Sequence, residues 1–107
     1  VTGNEAATML LKDMVIDKIN RTVTVQNLSV DLTGKEFDLL LFLASNKGRV
    51  FTKKQLYMQV WTEEYDFDDN NLMAFISKLR KKIEPNPEQP FYIQTVRGVG
   101  YRFNKEA

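Results

Sequence analysis

The sequence predicts an α+β domain, and three observations carry that prediction. Two Thr-x-x-Glu/Gln spacings stand ahead of apolar runs, a third segment repeats apolar residues at helical spacing, and short β-branched runs broken by turn residues flank these helices on both sides. With 107 residues, 43% hydrophobic and 27% charged, the chain has the size of one domain and can bury about 65% of its unfolded surface without staples. Residues 1–8 are mostly small and polar and read as a linker, so the domain is expected over 9–107.

Taken in order, Met14-Val15-Ile16, Thr22 to Val25 and Leu28-Ser29-Val30 are short strands separated by the turn-prone pairs Asn20-Arg21 and Gln26-Asn27, which makes a small antiparallel sheet. Thr33 and Glu36 have capping-box spacing. Behind them Phe37, Leu40, Leu41 and Ala44 recur on one helical face, and Leu39, Phe42 and Leu43 widen it into a central core helix that ends at Asn46-Lys47-Gly48. Thr52 and Gln55 repeat the capping spacing for a second helix, with Leu56, Val60 and Trp61 as its apolar side. A third helix buries Leu72, Phe75, Ile76, Leu79 and Ile83 in one stripe and turns Asn70, Ala74, Ser77, Lys78 and Lys81 outward, flanked by Arg80 and Lys82. After the proline-bearing loop Glu84 to Pro87, the run Phe91 to Val96 is a strand, Arg97 to Gly100 a tight turn, and Tyr101-Arg102-Phe103 a returning strand.

Composition removes much of the chemical menu. The chain has no Cys and no His, so Ser-His-Asp and Cys-His nucleophiles and zinc sites built from those ligands are excluded. The missing cysteines are compatible with a reducing compartment. The opening lacks a basic start followed by an apolar stretch, and the longest apolar run, Leu39 to Ala44, is far too short for a membrane span. The expectation is a soluble, cytoplasmic piece of a longer chain, with no membrane partner.

Charge is informative through its distribution. The net charge is +1, but residues 1–69 sum to −3 and residues 70–107 to +4. Lys47, Arg49, Lys53 and Lys54 add a second basic patch, with no acid between residues 45 and 62. Three helices followed by an Arg-tipped hairpin are the parts of a winged helix-turn-helix, in which the last helix enters the major groove of DNA and the hairpin reaches the minor groove. Small side chains on the third helix admit base edges closely while its cations meet phosphates. On its own that helix admits a plainer account, a solvated cationic end complementing the helix dipole.

Leu32-Thr33-x-x-Glu36-Phe37-x-Leu39-Leu40, Leu56-x-x-x-Val60-Trp61, Ile76-x-x-Leu79-Arg80-x-Lys82 and Thr95 to Phe103 together resemble the C-terminal effector domain of OmpR/PhoB-type response regulators. The resemblance runs from about Met9 to Phe103. It implies sequence-specific binding of double-stranded promoter DNA, dimerisation on that DNA, RNA polymerase as a partner, and a covalently linked receiver domain phosphorylated by a sensor histidine kinase. By this resemblance Asn71, Ala74, Ser77 and Lys78 face the groove, Arg80 and Lys81 meet phosphate, Thr95, Arg97 and Gly98 form the wing contact, and Thr52, Lys53 and Trp61 anchor the backbone. Met73 and Phe75 stand where relatives often carry an acidic residue and a histidine, and Thr62 where glycine is common. Met73 and Phe75 are both candidate contacts to thymine methyls, although Phe75 also fits the core stripe and is favoured there.

Glu63-Glu64-Tyr65-Asp66-Phe67-Asp68-Asp69 is densely acidic. As a calcium loop from Asp66 it fails, with Asn71 where glycine must turn and Ser77 where a bidentate Glu belongs. The resemblance makes Glu63, Glu64 and Asp66 part of a polymerase-contact loop, and Asp68 or Asp69 is placed to cap the third helix. Gly98-Val99-Gly100 is a turn, since no third glycine and no helix follow it. No catalysis, metal or cofactor is expected. Two rival readings remain at this level: a winged-helix interaction module recruiting a protein through the acidic loop, and a metal hydrolase using Asp66, Asp68 and Asp69.

Overall fold

A computed structural model describes residues 7–61 and 67–107. It opens with four antiparallel strands, β1 (Thr8–Leu11), β2 (Met14–Asp17), β3 (Thr22–Val25) and β4 (Leu28–Val30), in the order β1-β2-β3-β4. Three of them were expected and β1 was not, because Thr8–Leu11 carries only one β-branched residue and gains its strand from pairing with β2, Thr8 opposite Asp17 and Leu11 opposite Met14. Both residues of the Gln26-Asn27 turn have positive φ, 52° and 65°, which is what a primed two-residue hairpin requires. Asp17 closes the preceding turn by accepting from the amides of Ile19 and Asn20 and from the Asn20 side chain. Those hydrogen bonds hold its carboxyl below the usual aspartate range.

Alternation buries Met14, Ile16 and Val23 against the helices. Arg21 pins the sheet to the first helix, α1 (Gly34–Ala44): its Nη2 donates to the Gly34 carbonyl at 3.1 Å and lies 2.9 Å from Asp38, while the guanidinium covers the Phe37 ring. The capping box is formed as the spacing predicted. Glu36 N–H donates to Thr33 Oγ1 at 3.2 Å and Thr33 N–H to Glu36 Oε1 at 2.9 Å. Phe37, Leu39, Leu40, Leu43 and Ala44 of α1 are all buried, so this helix is the centre of the core.

After α1 the chain forms β5 (Phe51–Thr52) and passes directly into α2 (Lys53–Trp61). Thr52 and Gln55 make the second reciprocal cap at 3.1 and 2.8 Å. Leu56 is buried as expected, and Tyr57 beside it is buried as well. The third helix, α3 (Asp69–Ile83), hides Leu72, Ile76, Leu79 and Ile83. Asp68 is its N-cap, accepting from the Asn70 amide at 2.9 Å.

The C-terminal sheet has the order β5-β7-β6, with β6 (Ile93–Val96) and β7 (Gly100–Phe103) forming the hairpin. β6 begins two residues later than its sequence suggests. The amides of Phe91, Tyr92 and Ile93 all donate to the buried Glu84 carboxylate at 2.7–3.1 Å, which draws Phe91 and Tyr92 toward the end of α3 and away from a strand ladder. The pairing of β5 with β7 was also not anticipated, since a two-residue strand has no periodicity to read. It depends on Gly100, where an added Cβ would lie 1.9 Å from the Phe51 carbonyl oxygen.

Candidate nucleic-acid interface

The exposed side of α3 and the hairpin meet at one open groove. Its lining includes Thr52 and Lys53 from the β5–α2 junction, Met73 from α3, and Thr95, Gly98 and Val99 from the hairpin. The small β5-β7-β6 sheet brings the first and last of these segments together, setting Thr52 opposite Gly100 and Thr95 opposite Tyr101, and α3 is tied to that sheet through Arg80. Gly98 lets the hairpin turn, with φ +76° and open space around it, and Arg97 beside it is exposed.

On α3, Asn71, Ala74, Ser77, Lys78 and Lys81 are exposed. Among the described residues Lys78, Lys81 and Arg97 take part in no ion pair. Lys82, by contrast, is tied back to α1 through Glu36 at 2.7 Å. Burial pushes the Glu36 carboxyl up, but hydrogen bonds from Lys82 and Thr33 outweigh it and hold the pKa below the ordinary glutamate value.

Arg80 lies apart from the other cations. Its Nε and Nη2 both donate to the Ile93 carbonyl, at 3.1 and 2.8 Å, and Nη2 also donates to Thr95 Oγ1 at 2.8 Å. The guanidinium carbon sits 5.3 Å from the centre of the Tyr101 ring. Its strongest contacts are therefore internal to the domain, a placement that the helical spacing of Arg80 did not foreshadow.

Trp61 is half-buried, stacked on Tyr57 at 4.7 Å and meeting Phe75 edge-on at 4.8 Å, so it joins α2 to α3. Phe75 thus packs inward, as its place in the apolar stripe suggested. Met73 is 46% exposed. Asp69, expected as a helix cap or, in the rival reading, a metal ligand, borders the groove with its carboxylate 4.0 Å from Lys53 Nζ. The spacing of residues along α3 gives no sign of that contact, because Lys53 belongs to another helix. Glu63, Glu64 and Asp66 lie outside the described residues, so the expected polymerase-contact loop is not placed, and of the rival metal site only Asp68 and Asp69 are.

The sequence over residues 26–103 matches the family described as "Transcriptional regulatory protein, C terminal". The chain belongs to that family. Among its relatives, an uncharacterised transcriptional regulatory protein YcbL of Bacillus subtilis is 42% identical over 96 residues, covering 89% of this chain and 42% of the relative. The response regulator GtcR of Aneurinibacillus migulanus is 51% identical over 73 residues, covering 67% of this chain and 30% of the relative. The chain thus spans less than half the length of these curated relatives. Solved structures of the same architecture include DrrB, an OmpR/PhoB homologue of Thermotoga maritima, at TM-score 0.84 and 36% identity over 92% of this chain and 44% of that one. The RstA DNA-binding domain of Klebsiella pneumoniae, solved in complex with its RstA box, aligns at TM-score 0.83 and 34% identity, over 92% of this chain and 97% of that domain. The winged-helix α+β architecture expected from the sequence is the one present in these effector domains. Among the described residues no helix is long and apolar enough to cross a membrane.

Proposed function

We propose that this domain binds double-stranded promoter DNA in a sequence-specific manner, as the effector part of a two-component transcriptional regulator. The observation that carries the reading is the shared groove: Thr52, Lys53, Met73, Thr95 and Gly98 border one channel, with exposed α3 on one side and the Arg97-tipped wing on the other. A helix in the major groove and a hairpin at the minor groove must straddle a sugar-phosphate strand, and this channel is where that strand passes. Asn71, Ala74, Ser77 and Lys78 read base edges, Lys81 meets phosphate, Arg97 with Gly98 enters the minor groove, and Thr52, Lys53 and Thr95 hold the backbone. Trp61 supports α3 from behind through Phe75.

In the longer protein, a receiver phosphorylated by a sensor histidine kinase controls this domain, which pairs with a second copy on repeated half-sites. Glu63, Glu64 and Asp66 are offered to RNA polymerase. Similarity to response regulators supports the first statement, and the acidic character of the segment supports the second.

Selection from randomised duplex DNA tests the reading directly. Enrichment of a repeated half-site by the wild-type domain, lost by an Arg97→Ala, Lys78→Ala double variant, is the expected result. No enrichment at any salt concentration would favour an interaction module that leaves DNA untouched.

A further inference from the structure

The hairpin is gripped by α3 chiefly at Ile93 and Thr95 of β6. Ile93 receives hydrogen bonds at its carbonyl from Arg80 Nε and Nη2, and its amide donates to Glu84, the residue that caps α3. Both main-chain groups on that edge of β6 are therefore held by side chains of one helical turn. Arg80 also lies over Tyr101, opposite Thr95 in the β6–β7 pair. Helix and wing share one set of anchors, so their relative angle is set before any ligand arrives.

The contact to Thr95 has a further chemical consequence. A guanidinium only donates, so Thr95 Oγ1 must accept from Arg80, and the single hydroxyl hydrogen is left for another partner. Thr95 is exposed and borders the groove, which puts that hydrogen where an anionic oxygen of the strand arrives. The geometry points to Arg80 as a positioning residue: it locks the wing to α3 and turns the Thr95 hydroxyl outward as a phosphate donor, instead of neutralising a phosphate itself. This rests on the DNA-binding reading above.

Salt dependence separates the two roles, because a cation that neutralises a phosphate contributes roughly 0.9 to the slope of log affinity against log salt, whereas a neutral donor contributes none. Binding to the duplex enriched by wild type is measured across a salt series for Lys81→Gln, Arg80→Gln, Arg80→Lys, Thr95→Val and the Arg80→Gln, Thr95→Val double variant, with thermal melting to verify folding. Lys81→Gln is expected to flatten the slope by about 0.9. Arg80→Gln and Thr95→Val are expected to weaken binding about tenfold at every salt, with the wild-type slope, and the double variant to be no weaker than Arg80→Gln alone. Arg80→Lys keeps the charge without the planar fork and is expected to weaken binding as well. Flattening by Arg80→Gln equal to that of Lys81→Gln, additive losses in the double variant, or full binding by Arg80→Lys would each overturn the assignment. If Arg80→Gln does not fold, Arg80→Lys and Thr95→Val decide the matter. A wild type that enriches no duplex would instead remove the DNA-binding reading, and this assignment with it.

Discussion

Lys82 Nζ lies 2.7 Å from Glu36 Oε1, joining the last turn of α3 to the first turn of α1 across 46 residues of chain. The same carboxylate oxygen accepts from the Thr33 amide. One buried acid thus closes the capping box of the core helix and orients the helix assigned to the major groove, so a local folding signal and the placement of the interface share an atom.

That sharing predicts a pH dependence. The folded-state pKa of Glu36 lies below the ordinary 4.5, so its contribution to stability is complete above about pH 4.5 and is lost as pH falls through the lower folded value. Glu36→Gln keeps an acceptor but loses the charge, and is expected to cost about 1–2 kcal/mol at neutral pH. Denaturant unfolding of both proteins between neutral and acid pH is the measurement. The difference between them should shrink on acidification, and a constant difference would show that the ionised carboxylate contributes nothing special.

Arg97 and Lys81 are expected to fail in different ways. Arg97→Ala should cost about 1–3 kcal/mol on the selected site and less on scrambled duplex, because a narrow minor groove is a feature of sequence. Lys81→Ala should weaken both duplexes alike. Parallel titrations of the two duplexes distinguish these patterns, and equal binding by Arg97→Ala would remove the wing from recognition.

Asp69 places a negative charge at the groove beside Lys53. Its exposed ion pair contributes little to stability, on the order of 0–1 kcal/mol. Asp69→Asn should lower the melting temperature slightly, since an acid in the first turn of α3 complements the helix dipole. It should also bind DNA about threefold more tightly at low salt, by removing repulsion and releasing Lys53 to phosphate. Unchanged or weaker binding would mean that the strand does not run through this groove.

The two hairpin glycines should both resist substitution, for different reasons and to different extents. Gly100→Ala forces Cβ to within 1.9 Å of the Phe51 carbonyl oxygen and is expected to separate β5 from β7 at a cost of about 3 kcal/mol. Gly98→Ala meets open space but must hold φ near +76°, at about 1–2 kcal/mol. Chemical denaturation ranks them, and a Gly98 variant less stable than the Gly100 variant would contradict the ordering.

By itself the sequence determined whatever is decided over a few residues. Thr33 with Glu36 and Thr52 with Gln55 announce helix starts because both partners of each reciprocal hydrogen bond lie within one turn. The apolar stripe of α3 and the Gln26-Asn27 turn are legible for the same reason, since helical periodicity and positive φ are local properties. The Arg-Gly-x-Gly-Tyr-Arg-Phe ending marked the wing through local turn chemistry and family resemblance together. Tertiary structure decided everything that depends on which distant groups meet. Thr8–Leu11 and Phe51–Thr52 became strands only because partners were available to complete their backbone hydrogen bonds. Glu84 took three amides from the expected start of β6, and Arg80, cationic and at a plausible helical position, was drawn inward by a carbonyl and a hydroxyl thirteen and fifteen residues away. A guanidinium takes the acceptors that folding brings within reach, and its own neighbours in sequence do not reveal which those are.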